Sequence, residues 1–379
     1  MGSSAVRKTS CRLCGSKDLV LGSSLAATPL GDAYTSSRLN PVGQETIPLE
    51  LFLCSTCGNI QLGQVVDAKQ WYGHFISRQA YSIEMPQPFS KSQGFTKGPT
   101  PPEHTVLVES VGRPGEDFWG PSKAQRFKEQ TGSDSHITAI NVMANVDDLE
   151  EFVGGVKMSI GQKGTFTFET GYGLDMLEKN LVDVVHHDHL SYFTFSALER
   201  FFRRHSLKIT NVIRTDAKGG TLRCVVHAKD SPVPVNSSVQ HLLEEEKPKI
   251  ARGSGLFQRF NSFVETTRDG LAEVLDRIIG EGKTVAAFGA SVASTTLIYT
   301  FGLGGKISCI FDDDPRRANL FSPGYCIPVH LSSEIEKHRP DYIVILAWRY
   351  APQIIQKNSG YRDSGGRFIT FMPEINEGG

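Results

Sequence analysis

Residues 284–302, TVAAFGASVASTTLIYTFG, decide the fold class of the C-terminal third of this 379-residue chain. A short apolar run ends in Gly289-Ala290-Ser291 and is followed by a helical stretch, which reads as strand, glycine turn and helix. The next apolar run, ISCIFDDDP, is a second strand ending in carboxylates, and DYIVILAW and GGRFITFMP supply two more. The unit is a Rossmann-like α/β domain. A turn at a strand's C-terminal edge that opens a helix can offer backbone N–H groups to an anion. Asp312 lies 23 residues after Gly289, where such a sheet places a carboxylate near a ribose. The G-A-S turn lacks the three-glycine dinucleotide fingerprint, however. Two readings stay open: Gly289, Ser291 and Asp312 bind a nucleotide or phosphate, or the turn binds nothing tightly. Arg316, Arg317, Trp348 and Arg349 divide the same way, between phosphate and base contacts and a solvated edge.

Upstream, LFQRFNSFVETTRDGLAEVLDRIIGEG has apolar residues at helical spacing and ends in glycine, so a long helix leads into that domain. Before it, residues 230–249 are a candidate boundary. From Thr105 to Ala228 short apolar strands alternate with amphipathic helices, the pattern of a mostly parallel α/β sheet. Residues 84–103, EMPQPFSKSQGFTKGPTPPE, have no sustained period and read as linker or loop.

The N-terminal segment carries two C-x-x-C pairs, Cys11 with Cys14 and Cys54 with Cys57, each followed by a glycine. Two intervening residues let both sulfurs reach one metal from a tight turn, and Gly15 and Gly58 let the backbone curl around the thiolates. The expectation is a closed, structural four-thiolate zinc site. Cys224, Cys309 and Cys326 sit in apolar runs and read as core.

Composition narrows the function. Lys+Arg 40 against Asp+Glu 41 leaves a formal charge of -1, which argues against a phosphate-backbone binder and a polybasic membrane-surface protein. There is no apolar leader and no run of about 18 apolar residues, so a cytoplasmic protein is expected. The densest titratable cluster is Asp183-Val-Val-His186-His187-Asp188-His189. Consecutive side chains diverge, so a metal site is a poor reading. A general base is a better one, because imidazole accepts a proton at neutral pH. The alternative is a polar loop capping the next helix.

The order CRLCG, CSTCGNIQL, NVMANVDDLEEFVGGV, DVVHHDHLSYF, KGGTLR, FGASVASTTL, FDDDP, SPGYCIPV, RPDYIVILAWRY and GGRF resembles the nucleotide-sugar C-methyltransferases of deoxysugar pathways. The resemblance implies a zinc-binding domain over 1–80, a class I S-adenosylmethionine (SAM) methyltransferase-like α/β domain over 81–230, and the Rossmann-like domain over 245–379. It also implies methyl transfer to C3 of a dTDP-4-keto-deoxysugar, in which a histidine removes the C3 proton and the enolate attacks the sulfonium methyl. The family's Tyr-His-Glu-His run falls on His186-His187-Asp188-His189, so His189 matches the base and Asp188 keeps the carboxylate. His186 replaces a tyrosine, while Asn145 and Lys218 stand where the family has histidines.

The cofactor region departs further from the family. Its Glu-x-Gly-Ser-Asn-Asp-Gly turn is absent. VLVESVGRPGEDFWG offers one strand with Glu109, Gly112 and Gly115 where the family has two strand–helix units. Either Glu109 is the ribose carboxylate of a second strand, or Gly112 and Gly115 form a remade first turn, and the domain is shortened in both cases. A cofactor-free keto-sugar epimerase and a non-catalytic nucleotide-sugar binder are the alternatives.

Overall fold

A computed structural model describes residues 5–38, 44–66, 105–109, 122, 124, 125, 128, 129, 135–251 and 253–378, with the side chains of 105–109, 251, 253 and 254 outside that description. In the N-terminal unit β1 (Ala5–Arg7) pairs with β5 (Gln64–Val66), and β2 (Leu19–Thr28), β3 (Ile47–Cys54) and β4 (Ile60–Leu62) form an antiparallel sheet. Ile47, Leu49 and Leu51 alternate inward along β3, which then delivers Cys54 to the knuckle. The fourth strand of this sheet comes from far downstream: Ser191–Tyr192 pairs with β4 through Gln61↔Ser191 and Ile60↔Tyr192.

The central unit contains β6 (Thr105–Glu109), β7 (His136–Ile140), α1 (Leu149–Ile160), β8 (Thr165–Gly171), α2 (Gly173–Glu178), the shared strand β9 (Ser191–Tyr192), α3 (Phe195–Arg204), β10 (Leu207–Thr215) and β11 (Thr221–Ala228). Asp148 caps α1 by accepting from the Glu151 amide at 2.9 Å. Its buried face, Leu149, Phe152, Val153, Val156 and Ile160, lies on the sheet, with Phe152 edge-on to Phe166. Phe202 of α3 stacks on Phe168 with ring centroids 5.4 Å apart.

β6, β7 and β8 run parallel, but β11 and β10 add antiparallel beyond β8, so the sheet is mixed where a mostly parallel one was expected. The sequence carries no clear hairpin pattern here, because β10 breaks its period at a bulge between Ile209 and Asn211. Its turn also requires glycine: Gly220 has φ 156°, and a Cβ there would lie 2.2 Å from Asp175 Oδ2.

α4 (Ser237–Ala251) and α5 (Gly253–Gly280) then cross to the C-terminal unit, so the stretch read as a boundary is helical from Ser237 onward. That unit runs β12 (Val285–Phe288), α6 (Val292–Thr300), β13 (Ile310–Asp312), β14 (Val329–Leu331), α7 (Ile335–His338), β15 (Tyr342–Ile345), α8 (Ala351–Lys357), α9 (Ser359–Asp363) and β16 (Arg367–Ile369). Its five strands are all parallel, in the order β14-β13-β12-β15-β16. Of the three cysteines expected in the core, Cys224 and Cys309 are buried, but Cys326 is only half-buried. Among the described residues no helix is long and apolar enough to cross a membrane.

Candidate functional site

The four N-terminal sulfurs come together. Cys11 Sγ lies 3.5 Å from Cys57 Sγ and Cys14 Sγ 3.6 Å from Cys54 Sγ, and all four fall within 4.8 Å of one another. Zinc–sulfur bonds of ~2.3 Å in a tetrahedron give edges of about 3.8 Å, so this donor set fits zinc and is closed to any fifth group. Gly15 and Gly58 take φ 72° and 81°, and their amides donate back to Cys11 and Cys54 carbonyls, as expected for paired knuckles.

The histidine run hangs between this knuckle and the rest of the chain. Arg12, buried inside the first knuckle, donates to the carbonyls of Leu62 at 2.8 Å and Leu190 at 3.2 Å. The Leu190 carbonyl also accepts from Leu62 N, and the Leu190 amide donates to Ala144 O at 2.7 Å. The peptide after His189 is therefore fixed from both sides. His187 is buried with Nε2 3.2 Å from the Ile47 carbonyl, a structural tie to β3. His186, Asp188 and His189 are half-buried. The Ala144 contact brings in Asn145 as well, at the end of the 3-10 turn Met143–Asn145.

His189 is held edge-on against Tyr192, ring centroids 4.5 Å apart at 83°, with His186 stacked at 5.7 Å on another side. The Tyr192 hydroxyl donates to Val184 O at 3.2 Å, which locks that ring. His189 Nδ1 has no hydrogen-bond partner among the described residues. Burial, and next the charge of Lys218, lower the imidazole to about 4. The ring is thus neutral at pH 7 with one nitrogen uncommitted. Burial also lowers Lys218, against the pull of Glu169. Asp188 is pushed up to about 8 by burial and the nearby Asp32, so its carboxyl holds its proton at neutral pH.

The C-terminal unit closes on the same place. Thr296 Oγ1 donates to Val185 O at 2.7 Å and Thr295 Oγ1 to Gly31 O at 3.0 Å. Arg349 grips the buried Asp183 carboxylate with two nitrogens, one at 2.9 Å. Arg317 pairs with Asp32, both almost fully buried, and its guanidinium stacks 4.6 Å from the centre of the Tyr34 ring. The Tyr34 hydroxyl donates to Ser291 O. Arg12, Asp32 and Tyr34 were not picked out from sequence, and no local pattern marks Asp32, whose partner is 285 positions away.

Gly289, Ser291 and Asp312 are adjacent, and each is accounted for within the fold. Gly289 has φ 108°, and a Cβ there would lie 3.0 Å from Ala347 Cβ. Ser291 caps α6 in a reciprocal box with Ser294. Asp312 accepts from the Ala290 amide at 2.5 Å and the Asp314 amide at 2.7 Å, so the turn's anion-facing amide is taken by the chain's own carboxylate.

The expected cofactor residues do not assemble in the same way. Gly112 and Gly115 lie outside the described residues, and Glu109 is placed only by its backbone, at the end of β6 in register with Ile140 and Glu169. Ala139 is fully buried, and Glu169 is closed by Arg223 at 2.8 Å. Among the described strands β6, β7 and β8 step in one direction, without the reversal of strand order at which such sheets form a crevice. The described residues therefore do not by themselves fit S-adenosylmethionine.

Two family models match the chain: a zinc binding domain over residues 11–72 and the C-methyltransferase C-terminal domain over residues 216–373. The C-methyltransferase NovU of Streptomyces niveus is 25% identical over 400 aligned positions, covering 96% of this chain and 95% of that protein. A solved SAM-dependent methyltransferase from Anabaena variabilis ATCC 29413 is 14% identical with a TM-score of 0.23. That match covers 30% of this chain and 56% of the solved one, too partial a likeness to bear on fold or function.

Proposed function

We propose that this chain, which carries the zinc-binding and C-terminal domains of the C-methyltransferase family, is a C-methyltransferase acting at C3 of a nucleotide-linked 4-keto-deoxysugar, with His189 taking the C3 proton. One observation supports this above the others: His189 is a neutral imidazole whose buried Nδ1 has no partner among the described residues, packed against Tyr192 and under the electrostatic influence of Lys218. A base held near 4 is weak before reaction. The negative charge that grows on the enolate oxygen raises it as the proton transfers, because an opposite charge within a few ångströms favours imidazolium. Lys218 and Asn145 are proposed to face that oxygen as donors, with Asp188 and His186 completing the polar wall.

The nucleotide is proposed to lie where the loop at Asp32 and Tyr34, the histidine run and the Gly289–Ser291 turn converge, with Asp312 holding the turn. The zinc ion would be structural, carrying β4 and through it β9. S-adenosylmethionine is the proposed methyl donor, but the described residues carry the reaction only as far as the enolate. Glu109, Gly112 and Gly115 are its proposed contacts. Cytoplasmic location and domain limits at 80, 230 and 245 belong to the same proposal.

The test is wash-in of solvent deuterium at C3 of a dTDP-4-keto-6-deoxysugar, with and without SAM. Exchange in both arms, with methylated product only when SAM is present, is the expected result. Exchange with no product at any SAM concentration would assign the chain to epimerisation. No exchange in either arm would leave a binder and refute the base.

A further inference from the structure

We propose that the C-terminal domain holds a second metal site, for a zinc-class divalent cation, made by Cys309 Sγ and one ring nitrogen each of His330 and His338. The three donor atoms lie within 4.8 Å of one another, as do those of the four-cysteine cluster. Sheet register creates the arrangement. Cys309 immediately precedes β13, and its carbonyl still accepts from Ala287 N in the ladder, so its side chain shares a face with Phe311 two residues on. Phe311 pairs directly with His330 of β14, which puts that imidazole on the same face. α7 then crosses this face, and its last residue, His338, lies over the pair, the two imidazole centroids 4.2 Å apart.

The chemistry matches borderline metals. One thiolate and two imidazoles are zinc ligands of both structural and open sites, and the expected ligand edges of about 3.3–3.8 Å are reached by small rotamer changes. A fourth ligand is at hand. Glu334, four residues before His338, has Oε2 3.8 Å from His338 Nε2; it also pairs with the exposed Lys337 at 3.4 Å and interacts electrostatically with His330. Cys309 is buried whereas His338 is exposed, so an ion can enter from solvent and settle onto the thiol. The site is separate from the proposed reaction: Cys309 stands at the N-terminal end of β13, while Asp312 stands at the C-terminal end that faces the junction. The bound ion would staple the edge strand β14 and α7 to β13.

Metal content and Co2+ absorption of the full-length chain test this. The wild type should bind two equivalents of Zn2+, and Co2+ loaded at the weaker site should give a thiolate charge-transfer band. His338→Ala, at an exposed position, should reduce the stoichiometry from two to one with the fold intact. Cys309→Ser should abolish the weaker site's band and leave the four-cysteine site loaded. Zn2+ should also protect the Cys309 thiol from alkylation in the wild type and not in His338→Ala. A wild type saturating at one equivalent would overturn the proposal, as would a His338→Ala variant that keeps both equivalents and the protection.

Discussion

The two α/β sheets of this chain both have parallel strands at their centre and differ in strand order among the described residues. In the C-terminal sheet β13 and β15 lie on opposite sides of β12, so strand order reverses at the Gly289 turn, the place where such sheets form a crevice. In the central sheet the described strands β6, β7 and β8 step one way, and an antiparallel hairpin finishes the far side. The C-terminal sheet fills its turn with Asp312, whereas the described strands of the central sheet lie beside the histidine run. The difference teaches that the candidate site does not depend on either sheet's crevice. It is made where three units meet, and the zinc-bearing sheet contributes most, because β9 is its fourth strand.

If that is right, the largest effect should come from the zinc site. Cys54→Ser should unfold the N-terminal sheet, since metal binding supplies about 10–16 kcal/mol in small zinc peptides and β3 ends in the knuckle that holds the metal. It should also abolish C3 exchange, because β9 loses its partner. Limited proteolysis and exchange assays on the same sample check both, and a protease-resistant, exchanging variant would separate the zinc sheet from the base.

The junction itself is next. Arg317→Ala removes the guanidinium that pairs with the buried Asp32 carboxylate and should cost about 3–5 kcal/mol by denaturant unfolding. Smaller still, Asp312→Ala strands the Ala290 amide and should cost about 1–3 kcal/mol, weakening the proposed nucleotide seat while leaving C3 exchange at saturating substrate within a few-fold of wild type. A complete loss of exchange in Asp312→Ala would mean that the C-terminal crevice, not the junction, is the working site.

The least dramatic effect is on pH. His187 and His189 are held near 4 in the fold and titrate at ~6.5 in the unfolded chain, so over that window the unfolded state binds protons that the folded state refuses. The stability they contribute is intact above ~6.5 and is lost as pH falls toward 4. Asp188, kept protonated up to about 8, acts in the opposite sense: its contribution is present below ~4 and declines as pH rises through 8. Two imidazoles against one carboxyl predict net weakening between pH 6.5 and 4, which His187→Gln should reduce in urea titrations across that range.

Much of this was legible in the sequence. The cysteine spacing, the glycines after each pair and the strand–turn–helix at 284–302 announce themselves locally, because each is set by neighbours within a few residues. The histidine run was legible as chemistry but not as position, since its orientation comes from Arg12 and β4, more than a hundred residues upstream. The β10–β11 hairpin was hidden by its bulge, and the Asp32–Arg317 pair by sheer separation. Gly289, Ser291 and Asp312 were recognisable as a turn, but a carboxylate that serves its own backbone has the same sequence as one that serves a ribose.

The most direct measurement is C3 deuterium wash-in by His189→Asn beside the wild type, both shown folded by near-ultraviolet circular dichroism. Exchange should fall by about 100-fold or more, the scale of a general base. An asparagine variant that exchanges as fast as the wild type would mean that the proton leaves to some other group.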